Sequence, residues 1–89
     1  MVRWFVHHRV RDYSAWREVY DGFAEVQKAG GVRKQAVYQS VDDPNDVTVT
    51  HDFDDVATAR AFFALPDLRD AMIRAGVEGE PTLFLGTEV

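Results

Sequence analysis

The chain has 89 residues, 46% hydrophobic and 12% aromatic, which suits one folded domain spanning 1–89 and leaves no room for a second. Ten Lys and Arg against 15 Asp and Glu give a formal charge of −5, the wrong sign for nucleic acid or an anionic membrane surface. There is no cysteine, which excludes disulfides, thiolate nucleophiles and cysteine-bound metals, and MVRWFVHHRVRD has no sustained apolar run, so a cytoplasmic protein without a membrane span is expected.

Arg3 to Val10 reads as a strand of aromatic and β-branched residues. Its adjacent histidines, His7 and His8, must point to opposite faces. Asp12 suits a helix N-cap. From Tyr13 the apolar period changes: Trp16, Val19, Tyr20, Phe23 and Val26 form a helical stripe. One helix is predicted, ending at the Gly30-Gly31 pair. Gly22 inside it costs ~1 kcal/mol against Ala, which points to a close backbone contact. Val32 to Val41 is the second strand and Asp42 to Asp46, DDPND, a turn. Val47 to Phe53 alternates, with Val47, Val49, His51 and Phe53 on one face and Thr48, Thr50 and Asp52 on the other. Asp54-Asp55 opens a second helix with Val56, Ala59, Phe62 and Phe63 as its stripe, interrupted at Pro66. Asp67 to Ala75 adds a turn or two that bury Leu68, Met72 and Ile73, and Gly76-Val77 reads as a Schellman stop. Pro81 to Gly86 is the fourth strand.

This βαββαβ order predicts an α+β, ferredoxin-like sandwich: a four-stranded antiparallel sheet with helices on one face. The uncovered face is expected to carry Val37 and Val41, beside Phe5 or Trp4. A second copy would cover it, so a homodimer is expected.

Residues 8–17 and 51–60 align weakly. His8 matches His51, Val10 matches Phe53, Asp12 matches Asp55 and Arg17 matches Arg60. Both segments cross from strand to helix at equivalent places in the two βαβ halves. If the first and third strands are antiparallel neighbours, the two histidines lie roughly 7–13 Å apart along the sheet at ~3.4 Å per residue. One metal ion between them is not expected, and no metal site is assigned.

Ser14 and Ser40 lack any nucleophile signature, and no phosphate-binding glycine motif occurs. His51 is flanked at i±2 by Val49 and Phe53 and should face inward. It is either a core histidine satisfied by a Tyr hydroxyl or a carbonyl, or a polar group lining a pocket and exchanging a proton with a ligand. His8, between Val6 and Val10, is in the same position; His7 belongs to the far face. The aromatics fill a small core, but Trp16, Tyr20 and Tyr38 bring polar handles suited to a flat ligand. Arg17 and Arg60 read as surface ion-pair residues or as a pocket-mouth clamp on an enolate or carboxylate. DDPND lacks the spacing of a calcium loop.

HHRVRDYSAW, VYQSVDDPNDVTVTHDFDD, ARAFFALPDLRDAMIRAGV and PTLFLG together resemble the dimeric α/β-barrel proteins of the antibiotic-biosynthesis-monooxygenase-like group, which includes small cyclases. The resemblance covers essentially the whole chain. It implies two ferredoxin-like protomers packed sheet to sheet, each with a ligand cavity between its sheet and helices. It implies a cofactor-independent cyclase or oxygenase of an aromatic or polyketide-like substrate, or a non-catalytic dimeric binding protein with the same pocket. In the enzyme, His51 is the general acid–base and His8 a second polar group. Trp16, Tyr20, Tyr38, Phe53, Phe62 and Arg60 are then the substrate-binding residues. The chain departs from the group in three places. Phe53 stands where its monooxygenases often carry Trp, the sole Asn, Asn45, lies in a turn, and Leu65 precedes Pro66 where a small or polar cap is expected. A cavity of ~300 Å³ or more beneath the helices would mark a ligand-binding protein rather than a closed core.

Overall fold

The computed structural model describes all residues, Met1–Val89. Its elements are β1 (Val2–Val10), α1 (Tyr13–Gly22), α2 (Ala24–Ala29), β2 (Lys34–Gln39), β3 (Asp46–Phe53), α3 (Val56–Phe63), α4 (Pro66–Ala75) and β4 (Val77–Gly86). The strands form one antiparallel sheet in the order β2-β3-β1-β4, with the helices on one face. This is the ferredoxin-like arrangement expected from the element order. No helix is long and apolar enough to cross a membrane.

The helix starts follow their caps. Asp12 accepts from the Ala15 amide at 3.1 Å, and Asp55 accepts from Thr58 at 2.8 Å. The two aspartates matched in the internal repeat therefore do the same work. Pro66 takes the first position of α4, where its missing N–H is no loss, but Leu65 before it makes no side-chain cap. Gly76 closes α4 at φ 83°, left-handed backbone that favours glycine, with its N–H on Met72 and Ile73 carbonyls.

The predicted single helix over residues 13–29 is two. It breaks at Phe23, whose φ of −92° and ψ of 2° leave the helical region. Gly22 is not there for a close contact, since a Cβ at that position would meet nothing within 4 Å. Strand β2 is shorter than expected at both ends. Strand β4 is longer, starting at Val77, and it advances four positions, Glu78 to Thr82, while β1 moves two, Arg9 to His7. Gly79 at φ 72° and the donorless Pro81 lie in this irregular stretch.

Register decides which side chains meet the helices. Val6 pairs with Val49 and Val49 with Val37, so all three share the inner face. Val37 is thus an inner-face residue, not an outer one, and Val41 lies beyond β2, exposed in the loop. Ile73, expected inside, is 69% exposed on α4. The core has two apolar clusters. One gathers Val6, Val10, Trp16, Val47, Val49 and Ala75; the other Phe23, Phe53, Ala59, Phe62, Leu68 and Ala71. Trp4, Val19, Phe63 and Met72 pack against both.

Candidate functional site

A cavity of about 50 Å³ opens at the seam between the two clusters, under α1 and α4. Eleven of its 14 lining residues are hydrophobic. Its floor is the Val6–Val49 pair, with His8 at one end and His51 at the other. His8 pairs across the strands with Val47, and His51 with Trp4. The histidines are thus four register positions apart, about 14 Å along the sheet, just beyond the expected range.

Helix α1 supplies the roof. Trp16 and Tyr20, one turn apart, stack with centroids at 4.8 Å. His8 meets Trp16 edge-on at 5.8 Å, and Tyr20 lies nearly parallel to His51 at 6.1 Å. Phe62 meets the other side of His51 at 5.7 Å. Five rings, His8, Trp16, Tyr20, His51 and Phe62, therefore follow one another across the inner face of the sheet.

Both histidines are buried, His8 to 6% exposure and His51 to 4%, and the Nδ1 atom of each lacks a partner. Such atoms are uncommon in folded proteins and call for an explanation. His51 Nε2 lies 3.2 Å from the Tyr20 hydroxyl, which itself donates to Gln35 Oε1. Burial pushes His51 down to about 4, with Asp52 pulling weakly the other way. Burial also lowers His8 and pushes the Tyr20 phenol up to about 12, partly opposed by Gln27 and Arg17. At neutral pH the site therefore holds two uncharged imidazoles and one intact phenol.

The residues assigned from sequence divide in space. His8, His51, Trp16 and Tyr20 line the cavity together. Phe53 and Phe62 do not; both are fully buried in the second cluster, with Phe62 reaching the site only through the His51 ring. Tyr38 stands on the outer sheet face, 56% exposed, because its partner Thr48 pairs with the outward His7. Arg60 is exposed on α3, opposite the buried face of Ala59 and Phe62. Arg17 pairs with Asp21 at 2.9 Å and lies over the Tyr20 ring. His7 faces outward and meets Asp46 at 2.6 Å. No three His, Cys, Asp or Glu side chains cluster as metal ligands.

Two polar residues escaped the sequence reading. Gln27 is 3% exposed and lines the cavity, at i+4 from Phe23 on the same helical stripe. Gln35 lies directly across from His51. Its signal was parity: it shares a strand face with Val37, two residues on.

No protein-family model matches the chain. No curated protein matches it. Solved structures do. A protein from Bordetella bronchiseptica, provisionally an antibiotic biosynthesis monooxygenase, superposes with TM-score 0.85 at 13% identity, over 99% of this chain and 96% of that one. SnoaB, a cofactor-independent oxygenase from Streptomyces nogalater, gives TM-score 0.77 at 16% identity, over 99% and 94%. Rv0793 from Mycobacterium tuberculosis gives 0.75 at 15%, over 99% and 94%. At these identities the likeness establishes the fold: the chain has the architecture of the antibiotic-biosynthesis-monooxygenase-like proteins.

Proposed function

We propose that the chain is a small-molecule enzyme of the monooxygenase- and cyclase-like group, acting without a cofactor on an aromatic or polyketide-like substrate. One observation carries the reading: two buried imidazoles, each with an unpartnered nitrogen, line one apolar cavity roofed by stacked aromatic rings. SnoaB, with the same fold, is a cofactor-independent oxygenase. Trp16 and Tyr20 grip a flat ring system, and His51 takes and returns a proton as an enol or phenol ionises. His8 hydrogen-bonds the far end. A proton-transfer group of this kind contributes typically ~10²–10⁴-fold.

The cavity volume of about 50 Å³ falls well below the ~300 Å³ of a ligand pocket, so the substrate must displace side chains. Phe63, Leu68 and Met72 line both the cavity and a surface groove of about 390 Å³ between α4 and β4. They are the partition between the two, and Met72, with three rotatable bonds, is its most adaptable part. Joined, cavity and groove have the size of a pocket for a two- or three-ring ligand. The working form is a homodimer, in which the outer sheet face is covered.

The test is turnover of flat polyhydroxylated aromatics, followed by absorbance with oxygen uptake recorded in parallel. Oxygen consumed in step with product marks an oxygenase, and product without oxygen uptake a cyclase. His51→Ala should lose at least ~10²-fold in kcat. Undiminished turnover in that variant would remove His51 as the acid–base. The resting His51 value of about 4 supports a second reading, a non-catalytic binding protein, because a base so far below neutral pH abstracts protons poorly. Saturable binding of the same compounds without turnover would establish it.

A further inference from the structure

We propose that Tyr20 and Gln35 are positioning residues that set the tautomer of His51, holding its proton on Nε2 and leaving Nδ1 as a bare, buried acceptor. The inference deepens the proposed role of His51 and rests on its being the residue that meets the ligand. A side-chain amide oxygen only accepts, so the Tyr20 hydroxyl proton is committed to Gln35 Oε1. The Tyr20 oxygen, 3.2 Å from His51 Nε2, then has only lone pairs to offer, and Nε2 must be the donor. A neutral imidazole carries one N–H, so Nδ1 has none. The opposite orientation of the chain places an N–H on Nδ1, where it has no acceptor. Buried orphan N–H groups are rarer than under-used acceptors, which favours the same assignment.

The arrangement is built on the backbone. Gln35 and His51 are register partners across β2 and β3, and Tyr20 lies parallel above the His51 ring. Nothing comparable holds His8, whose roof neighbour Trp16 meets it only by ring edge. The two matched histidines are therefore not equivalent: only His51 has its tautomer set by a hydrogen-bonded chain. The ligand atom that meets His51 must then carry a proton. A phenol or enol hydroxyl fits Nδ1, whereas a carbonyl or carboxylate oxygen does not.

The test is ¹⁵N NMR of the full chain with labelled histidine at pH 7, without substrate. His51 should show a protonated Nε2 and a bare Nδ1, with the other tautomer at least tenfold rarer. Gln35→Leu frees the Tyr20 proton for Nε2 and should cut that excess by tenfold or more. Gln35→Glu keeps an acceptor and should restore it, and His8 should stay unchanged in both. Tyr20→Phe removes the acceptor that holds the Nε2 proton and should reduce the excess too, but by less than Gln35→Leu, because no hydroxyl is left to donate to Nε2. A protonated Nδ1 in the wild type, or a His51 pattern that ignores these substitutions, overturns the inference. Because no turnover is involved, a loss of the catalytic reading leaves this result standing, and the reverse.

Discussion

A histidine kept neutral inside a small protein ties its stability to pH. The His51 value falls from 6.5 in the unfolded chain to about 4 in the folded one, and burial is the cause. Below pH 6.5 the unfolded state therefore binds a proton that the folded state refuses. The stabilising contribution is complete above pH 6.5 and is lost as pH falls toward 4. By pH 5 the loss from His51 alone is about 2 kcal/mol. His8, also lowered by burial, acts in the same direction. Urea midpoints measured from pH 7.5 to 5 should fall steeply in the wild type. His51→Phe should flatten that fall by about 2 kcal/mol at pH 5, whatever its effect at pH 7. An equal slope in both proteins would mean that His51 titrates normally in the fold.

At the level of single elements, β2 shows how one step of parity rearranges a site. Side chains alternate along a strand, so placing Val37 outward places Tyr38 inward, and the register does the reverse. The test compares neighbours. Val37→Ala removes apolar contact with the first core cluster and should cost about 1–2 kcal/mol. Tyr38→Ala, on the open face, should stay within ~0.5 kcal/mol of wild type in the monomer. Equal effects would contradict the register. At the end of α4, Gly76→Ala should destabilise by about 1 kcal/mol, because φ 83° is strained for any side chain. Gly22→Ala, with open space and ordinary backbone, should not.

Strand parity also decides which parts of the site were legible in the sequence. β1 and β3 have hydrophobic neighbours on both sides of each histidine, so His8 and His51 could be placed without a register. β2 reads Gln35-Ala36-Val37-Tyr38-Gln39, where either face is plausible, and only pairing with β3 decides. That is why Tyr38 was expected in the pocket and Gln35 was not. The β4 extension was hidden for another reason: Glu78-Gly79-Glu80-Pro81 has loop composition, and it is strand only because β1 pairs with it through an irregularity. The break at Phe23 has no sequence mark beyond Gly22, since the apolar stripe runs on through it.

For the whole molecule, the outer sheet face poses the remaining question. Phe5 and Phe84 pair there with centroids at 5.9 Å, 38% and 64% exposed, and Tyr38 lies on the same face. Around them run two ion pairs, Arg3–Asp52 at 2.5 Å and Arg9–Asp43 at 2.7 Å, and the His7–Asp46 hydrogen bond at 2.6 Å. Aromatic centre and charged rim are the pattern of an interface. A chain this short buries only ~60–65% of its unfolded surface, and covering this face with a second copy adds apolar burial where it is most lacking. Sedimentation at 10 µM should therefore give twice the 10.1 kDa chain mass. Phe84→Glu sets two carboxylates against each other near the centre of a two-fold contact and should yield monomers. Ile73→Glu, equally exposed but on α4, should leave the dimer intact. A monomeric wild type at that concentration would sink the dimer. Dissociation by Ile73→Glu rather than Phe84→Glu would move the interface to the helical side, over the groove proposed to admit substrate.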